Sequence, residues 1–308
     1  MEGTAADKRA TVFGGTGFLG RAIVKRLKAE GARVRVAARR PDAGARPAGV
    51  EAVTADLRDV DSVARAVADT DWVVNAVGLY LESRGETFQA VHVEGARAVA
   101  EAVAQAAARG SAQALVHISG IGADLASESS YVRARAAGEA AVREAFPEAT
   151  TLRPSVLFGP EDSFSNSLAR IARLLPAFPL FGDGRTRLQP VYVEDVAAAV
   201  ARTLSLAEAR GRTYELGGKE SYSYRALIEL LLRHIGIRRP LLPLPFALWQ
   251  AQASLLGLLP KPPITHDQIA LMRKDNVVDP ELPGFAELGI QAAALEEILP
   301  TYLGAAKS

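Results

Sequence analysis

The run Val12-Phe13-Gly14-Gly15-Thr16-Gly17-Phe18-Leu19-Gly20 constrains this chain more than any other stretch. It follows a short apolar segment and opens a helical pattern. Gly14 permits a tight turn out of a strand. Gly17 has no Cβ, so the backbone can approach phosphate oxygens closely. Gly20 lets the following helix pack tightly on a sheet. The N–H groups at the start of that helix, with their partial positive charge, suit an anion. A spaced glycine triplet is weak by itself, and its strand–glycines–helix–strand setting makes it a pyrophosphate cradle.

Apolar bursts alternate with helical patterns throughout the first half. Strands are expected over Lys8–Phe13, Arg33–Ala38, Val50–Ala55, Trp72–Val77, Ala114–Ser119 and Thr150–Phe158. Helices are expected over Phe18–Glu30, from a cap at Asp59 through Ala68, within Gly85–Arg109, and over Tyr131–Ala145 before Pro147. Trp72–Val77 is almost entirely apolar, as a strand covered on both faces should be. This alternation predicts an α/β chain of Rossmann type, with a doubly wound parallel sheet, right-handed crossovers and a smaller C-terminal lobe. The expected division is a dinucleotide-binding domain at 1–158, completed by 187–218. Residues 159–186 and 219–308 would form the smaller lobe, for substrate or partner docking. In the second half, Val191–Leu206 reads as a helix after a short strand, Arg212–Leu216 as a returning strand and Tyr222–Ile235 as an amphipathic helix. Prolines bracket a further helix over Phe246–Leu259.

Composition narrows the chemistry. The chain has 308 residues and 49% hydrophobic residues, enough for a substantial core. A net charge of +1 argues against a general nucleic-acid binder. The absence of cysteine excludes disulfides, thiolate metal sites and cysteine nucleophiles. His92, His117, His234 and His266 are far apart and form no ligand pair at helical spacing, so no metal is expected and each reads as a structural or surface residue. Residues Met1–Lys8 lack an apolar signal core, and no long apolar run suggests a spanning helix, so a cytoplasmic protein is expected.

Beyond the second strand, where a carboxylate would bind ribose hydroxyls and select NAD, stand Arg39 and Arg40. Their planar donors suit a 2′-phosphate, which favours NADP(H) over NAD(H). The plain alternative is a solvated pair at a strand end. Asp56 is placed to receive an adenine amino group, and the backbone at Asn75 and Gly78 to pass the cofactor ribose. A second constellation joins Ser119, Tyr131 and Arg135. Tyr131 and Arg135 share a helix face. A nearby cation should lower the tyrosine pKa and ready it for proton transfer, while Ser119 orients a substrate oxygen. The bland alternative is a surface tyrosine.

The motifs GGTGFLG, DLRD (Asp56–Asp59), NAVG (Asn75–Gly78), HISGIGA around Ser119 and Tyr131-x-x-x-Arg135 resemble the extended and atypical short-chain dehydrogenase/reductases. The stretches at 136–147, 152–162, 189–196, 263–276 and 282–290 are similar to one branch. That branch holds the accessory subunit of respiratory complex I, alpha-subcomplex subunit nine, and its bacterial relatives. The resemblance implies a cofactor-binding set of Gly14, Thr16, Gly17, Phe18, Leu19, Gly20, Arg39, Arg40, Asp56, Leu57, Asn75, Ala76, Val77, Gly78, Tyr131, Arg135 and Pro154, and a catalytic set of Ser119, Tyr131 and Arg135. The wider superfamily has lysine where this chain has Arg135, and arginine is larger and forked. The resemblance therefore implies tight cofactor binding with little or no turnover. The alternatives are an active oxidoreductase or epimerase on a nucleotide sugar, isoprenoid or quinone-related carbonyl, and a redox-sensing regulator without catalysis. The apolar segment Leu241–Pro263, flanked by Arg238, Arg239 and Lys261, reads either as core or as a surface docking on complex I or on the inner membrane, where the protein would be peripheral. The oligomeric state is open.

Overall fold

The computed structural model describes residues 5–41, 47–83, 85–256 and 264–303. The chain opens with β1 (Arg9–Phe13), α1 (Phe18–Ala29), β2 (Arg33–Ala38), β3 (Glu51–Thr54), α2 (Val60–Val67) and β4 (Trp72–Asn75). A π-helical turn at Gln89–Glu94 leads into α3 (Gly95–Ala108), followed by β5 (Ala114–Ile118), α4 (Ser130–Ala145) and β6 (Thr150–Pro154). These six strands and a later β-segment, Thr213–Leu216, form one seven-stranded sheet. From one edge the order is Thr213–Leu216, β6, β5, β4, β1, β2, β3, and every pair in it is parallel. Chain order reverses between β1 and β4, which places a crevice beyond their carboxyl ends.

The sheet is buried because its strands carry apolar side chains to both faces. Val12, Val34, Val36 and Val74 pack with Ile23 and Leu27 of α1 on one side. Phe13, Val73 and Leu115 pack with Val63, Val99 and Val103 of α2 and α3 on the other. Asp59 caps α2 by accepting from the N–H groups of Asp61 and Ser62, as its position before an apolar helix predicts.

One expectation needs correction, and another holds with a local departure. The helix expected within Gly85–Arg109 is α3, entered through the π turn. There a tight approach replaces regular α geometry: a Cβ on Gly138 of α4 would lie 2.0 Å from the carbonyl oxygen of His92. Close packing of α4 on the widened turn thus depends on that glycine. The strand expected over Thr150–Phe158 is two strands. It leaves the sheet after Pro154, and β7 (Leu157–Phe158) pairs elsewhere.

The remainder comprises α5 (Ser163–Leu174), β8 (Phe178–Phe181), β9 (Arg187–Leu188), β10 (Val191–Tyr192), α6 (Val193–Ser205), β11 (Thr213–Leu216), β12 (Tyr222–Ser223), α7 (Tyr224–His234), β13 (Leu241–Leu244), α8 (Phe246–Leu256), α9 (His266–Leu271) and α10 (Leu295–Ile298). α6 packs on the central sheet. A separate core gathers Phe158, Phe178, Leu180, Ile228 and Leu231. β13 pairs with β8, a strand hidden in sequence by its prolines. Within the apolar segment 241–263, the residues of 257–263, Lys261 included, lie outside the described ones. α8 buries only Ala253, while Leu248 and Leu255 are exposed, the latter by 75%. The described part of that segment is therefore largely a surface rather than core. Among the described residues, no helix is long and apolar enough to cross a membrane.

A buried ion cluster ties the layers together. Arg153 of β6 donates to both oxygens of Glu139 on α4, at 2.9 and 2.7 Å, and lies 3.4 Å from Glu215 of β11. Glu215 also accepts the backbone N–H of Asp279.

Candidate active site and dinucleotide groove

The glycine turn has the shape its spacing predicts. Gly14 adopts φ +75°, and a Cβ there would lie 2.7 Å from the Ala76 carbonyl oxygen. At Gly20 a Cβ would lie 2.0 Å from the Gly14 carbonyl oxygen. These glycines thus allow the β1 turn, the β4 connection and α1 to converge. Gly17 is the N-cap residue of α1 and has no side chain to cap it, and the first turn carries no acidic residue. The N–H groups of Phe18 and Leu19 therefore face the crevice end with no built-in carboxylate. A pyrophosphate fits this cradle. Thr16 belongs to the same loop, and its carbonyl accepts from Arg21.

The other expected cofactor positions converge on the same sheet edge, with some side chains turned away. Leu57 is buried against Gly95 and Ala76 packs on the core. Val77 likewise packs on the core. Asn75 is buried, with Nδ2 3.4 Å from His117 Nδ1 and Oδ1 accepting from the N–H of Val77. Leu57 and Asn75 are thus taken up by the fold, while Ala76 and Val77 stay half-buried. Asp56 stands at the end of β3, and Arg58 donates to both of its oxygens, at 2.6 to 3.2 Å. This arginine holds the carboxyl down at about 2. Arg39 pairs with Glu86, a residue with no motif around it. Arg40 stands exposed at the same strand end. Pro154 ends β6, where its carbonyl accepts from Ile121.

Tyr131 and Arg135 meet, as their spacing on α4 predicts. Arg135 Nε donates to Tyr131 Oη at 2.6 Å, and Cζ lies 5.0 Å from the ring centre. Both residues are buried. The guanidinium fits beside two glycines, Gly78 and Gly120, whose Cβ positions would be 3.8 and 3.7 Å from Nη2 and Nη1. Ser119 follows β5 and is 3% exposed, and among the described residues its Oγ has no hydrogen-bond partner. A buried orphan hydroxyl at the carboxyl edge suits an incoming oxygen.

One electrostatic expectation fails. Arg135 does pull the Tyr131 phenol downward, but burial outweighs it and pushes the phenol above its ordinary value. Tyr131 is enclosed by rings: Tyr80 stacks at 5.7 Å, and Phe88 and His92 meet its edge or face at 5.5 and 5.6 Å. His92 is thus part of the site's wall. Its Nε2 lies 2.9 Å from the Leu79 carbonyl oxygen and 3.3 Å from the Leu79 backbone nitrogen. Burial and then Arg135 lower it to about 4, and the same causes lower His117 to about 3. Both imidazoles are therefore neutral at physiological pH.

The helix bearing Tyr131 is anchored from far along the chain. Asp267 of α9 accepts from Ser129 Oγ at 2.5 Å, from Ser130 Oγ at 3.1 Å and from the Tyr131 N–H at 3.3 Å. Beside it a polar cavity of about 280 Å³ is lined by Arg133, Arg273, His266 and Gln250. Tyr80, Glu86 and His92 carry no local signature; Asp267 lies in the stretch 263–276 that resembles one branch, yet nothing in its spacing brings it near Tyr131.

Residues 10–217 match the NAD dependent epimerase/dehydratase family. The chain is 33% identical over 300 residues to the Mus musculus protein "NADH dehydrogenase [ubiquinone] 1 alpha subcomplex subunit 9, mitochondrial", covering 93% of this chain and 77% of that one. It is 36% identical over 198 residues to a ceramide reductase of Caulobacter vibrioides, covering 63% and 61% of the two chains. The Thermus thermophilus UDP-glucose 4-epimerase structure, determined with NAD, superposes with a TM-score of 0.70. At 23% identity, over 96% of this chain and 97% of that one, it shares the fold.

Proposed function

The chain belongs to the NAD dependent epimerase/dehydratase family, and on that premise we propose that it holds NADP(H) tightly, with little or no turnover, as an accessory component of a respiratory NADH dehydrogenase. One observation carries the reading. The phenol that would exchange a proton is buried, raised above its ordinary pKa and already hydrogen-bonded to Arg135. A general acid or base works best when its pKa lies near the operating pH, and Tyr131 is held away from it. Arg135 acts as a fixed cation beside the groove. The glycine turn and the start of α1 receive the pyrophosphate, and Arg39 with Arg40 receives a 2′-phosphate. Docking falls to the exposed leucines Leu242, Leu248 and Leu255, which follow the exposed cation Arg238 in sequence. Relatives named as subunits of mitochondrial NADH dehydrogenase support this reading, in which the protein is peripheral to the membrane.

Native mass spectrometry of protein purified without added nucleotide tests this reading. Retained NADP(H) at near one per chain is the expected result. Nucleotide-free protein, or bound NAD(H) alone, overturns it.

A second reading is favoured by Ser119, whose buried hydroxyl is orphaned where a substrate oxygen would sit. Here the protein is a reductase of a carbonyl, with the nicotinamide supplying hydride when bound. Ser119 Oγ orients the carbonyl oxygen, Tyr131 Oη delivers the proton to it, and Arg135 stabilises the phenolate left behind. The similarity to a ceramide reductase makes a long-chain lipid carbonyl the first substrate to try. Substrate-dependent NADPH oxidation that disappears in Tyr131→Phe would select this reading over the first.

A further inference from the structure

The guanidinium of Arg39 is engaged before any ligand arrives: Nη1 donates to a carboxylate oxygen of Glu86. Glu86 comes from the connection after β4, far from the end of β2 in sequence. Ser83 and Glu86 exchange two backbone hydrogen bonds, at 3.0 and 3.1 Å, which fix the position of Glu86. The neighbouring Gly85 carbonyl accepts from Arg58 Nη1 at 2.8 Å. Arg58 in turn holds Asp56, whose carboxylate also feels the positive field of Arg39. Two guanidinium groups and two carboxylates therefore share the adenine end of the groove.

A carboxylate and a phosphate monoester make the same kind of charge-assisted contact with arginine. They cannot share one guanidinium edge without repulsion, because a phosphate monoester carries a charge of about −1.5 to −2 at neutral pH. We propose that Glu86 is a cofactor-discriminating residue: it occupies the edge of Arg39 that a 2′-phosphate requires, and a 2′-phosphorylated dinucleotide has to displace it. A ligand with a free 2′-hydroxyl carries no such requirement. Glu86 thereby sets the ratio of NADPH to NADH affinity below what the arginines alone would give. Its side chain is 28% exposed and belongs to none of the cores, so displacement moves it toward water without opening the fold. The proposal rests on the reading that Arg39 receives the 2′-phosphate.

The test measures dissociation constants for NADPH and NADH by calorimetry at low salt, for wild type, Glu86→Gln, Glu86→Ala, Arg39→Ala and the double variant Arg39→Ala/Glu86→Gln. Removing the charge on Glu86 should tighten NADPH by about tenfold, the scale of one charge-assisted hydrogen bond, and change NADH by less than about twofold. The Glu86→Gln gain should vanish in the double variant, since nothing is left to liberate. If Arg39→Ala lowers the NADPH/NADH ratio but both Glu86 variants keep the wild-type ratio, the inference fails and the reading beneath it stands. If Arg39→Ala leaves the ratio unchanged, the reading fails and takes the inference with it. Weakened NADH binding in both Glu86 variants would identify Glu86 as a ribose ligand and overturn the proposal.

Discussion

Arg135 donates its Nε–H to the hydroxyl of Tyr131 across 2.6 Å, inside a wall formed by Tyr80, Phe88 and His92. The pair has the residue types of a proton-transfer site and the electrostatics of a resting one. Arginine's positive charge favours phenolate, yet burial of the ring opposes it more strongly.

Alkaline titration monitored by tyrosine absorbance should therefore find the Tyr131 transition above the ordinary phenol value near 10. It is isolated as the difference between wild type and Tyr131→Phe. Arg135→Met, which removes the favourable charge, should push the transition higher still. The sign for stability follows: the neutral phenol's contribution is present below pH 10 and declines as pH rises above it, because the unfolded chain ionises first. A Tyr131 phenolate already formed by pH 9 would contradict this.

His92 and His117 predict the opposite limb. Both are held neutral, down to about 4 and about 3. Their contribution is complete above the unfolded value of about 6.5 and is lost as pH falls through that value toward the folded ones. Urea midpoints should drop steadily between pH 7 and pH 4. His117→Asn should flatten that slope, whatever it does to stability at pH 7. An unaltered slope would remove His117 from the account.

Gly20→Ala should abolish nucleotide retention. Its Cβ would lie 2.0 Å from the Gly14 carbonyl oxygen, so the turn and α1 must separate. Bound nucleotide per chain, read by absorbance after denaturation, should fall at least about tenfold, as expected when a preorganised phosphate cradle is displaced. Retention at wild-type level would mean that the cradle is not the binding site.

Asp267→Ala should loosen the start of α4. It removes the acceptor for Ser129, Ser130 and the Tyr131 N–H, at a cost of about 1.5–3 kcal/mol for charged hydrogen bonds that are partly buried. Hydrogen exchange should speed up at Tyr131 and Val132 and hold steady in α3. A double-mutant cycle with Ser129→Ala should show coupling of about 1 kcal/mol. Additive losses would show that the two side chains act independently.

Leu248→Ser/Leu255→Ser should leave the melting temperature within a few degrees of wild type, because both side chains are exposed. The same variant should lose co-sedimentation with respiratory membranes. Unchanged co-sedimentation would move the docking surface elsewhere.

The central sheet was legible because its signals are local. Strand length, helix period and the glycine turn lie within windows of a few residues, and β1 through β5 fall within a few residues of expectation. The break after Pro154 was not legible, since Leu157 and Phe158 are as apolar as a continuing strand and leave only to pair with Val191 and Tyr192. Likewise Leu241–Leu244 becomes a strand only because β8 lies alongside it.

In the site, local patterns were enough for the residues whose positions follow from the turns: the Gly14–Gly20 cradle, Arg39 after β2, Ser119 after β5, and the shared face of Tyr131 and Arg135. The tertiary structure alone decided what those groups face. It set Glu86 against Arg39, Asp267 under the helix of Tyr131, and aromatic rings around the phenol. The physical reason is that local sequence fixes backbone geometry within one element, whereas solvation and field depend on side chains that arrive from elsewhere in the chain. The sign of the Tyr131 shift is such a quantity: the spacing supplied the cation, and only the packing supplied the burial that outweighs it.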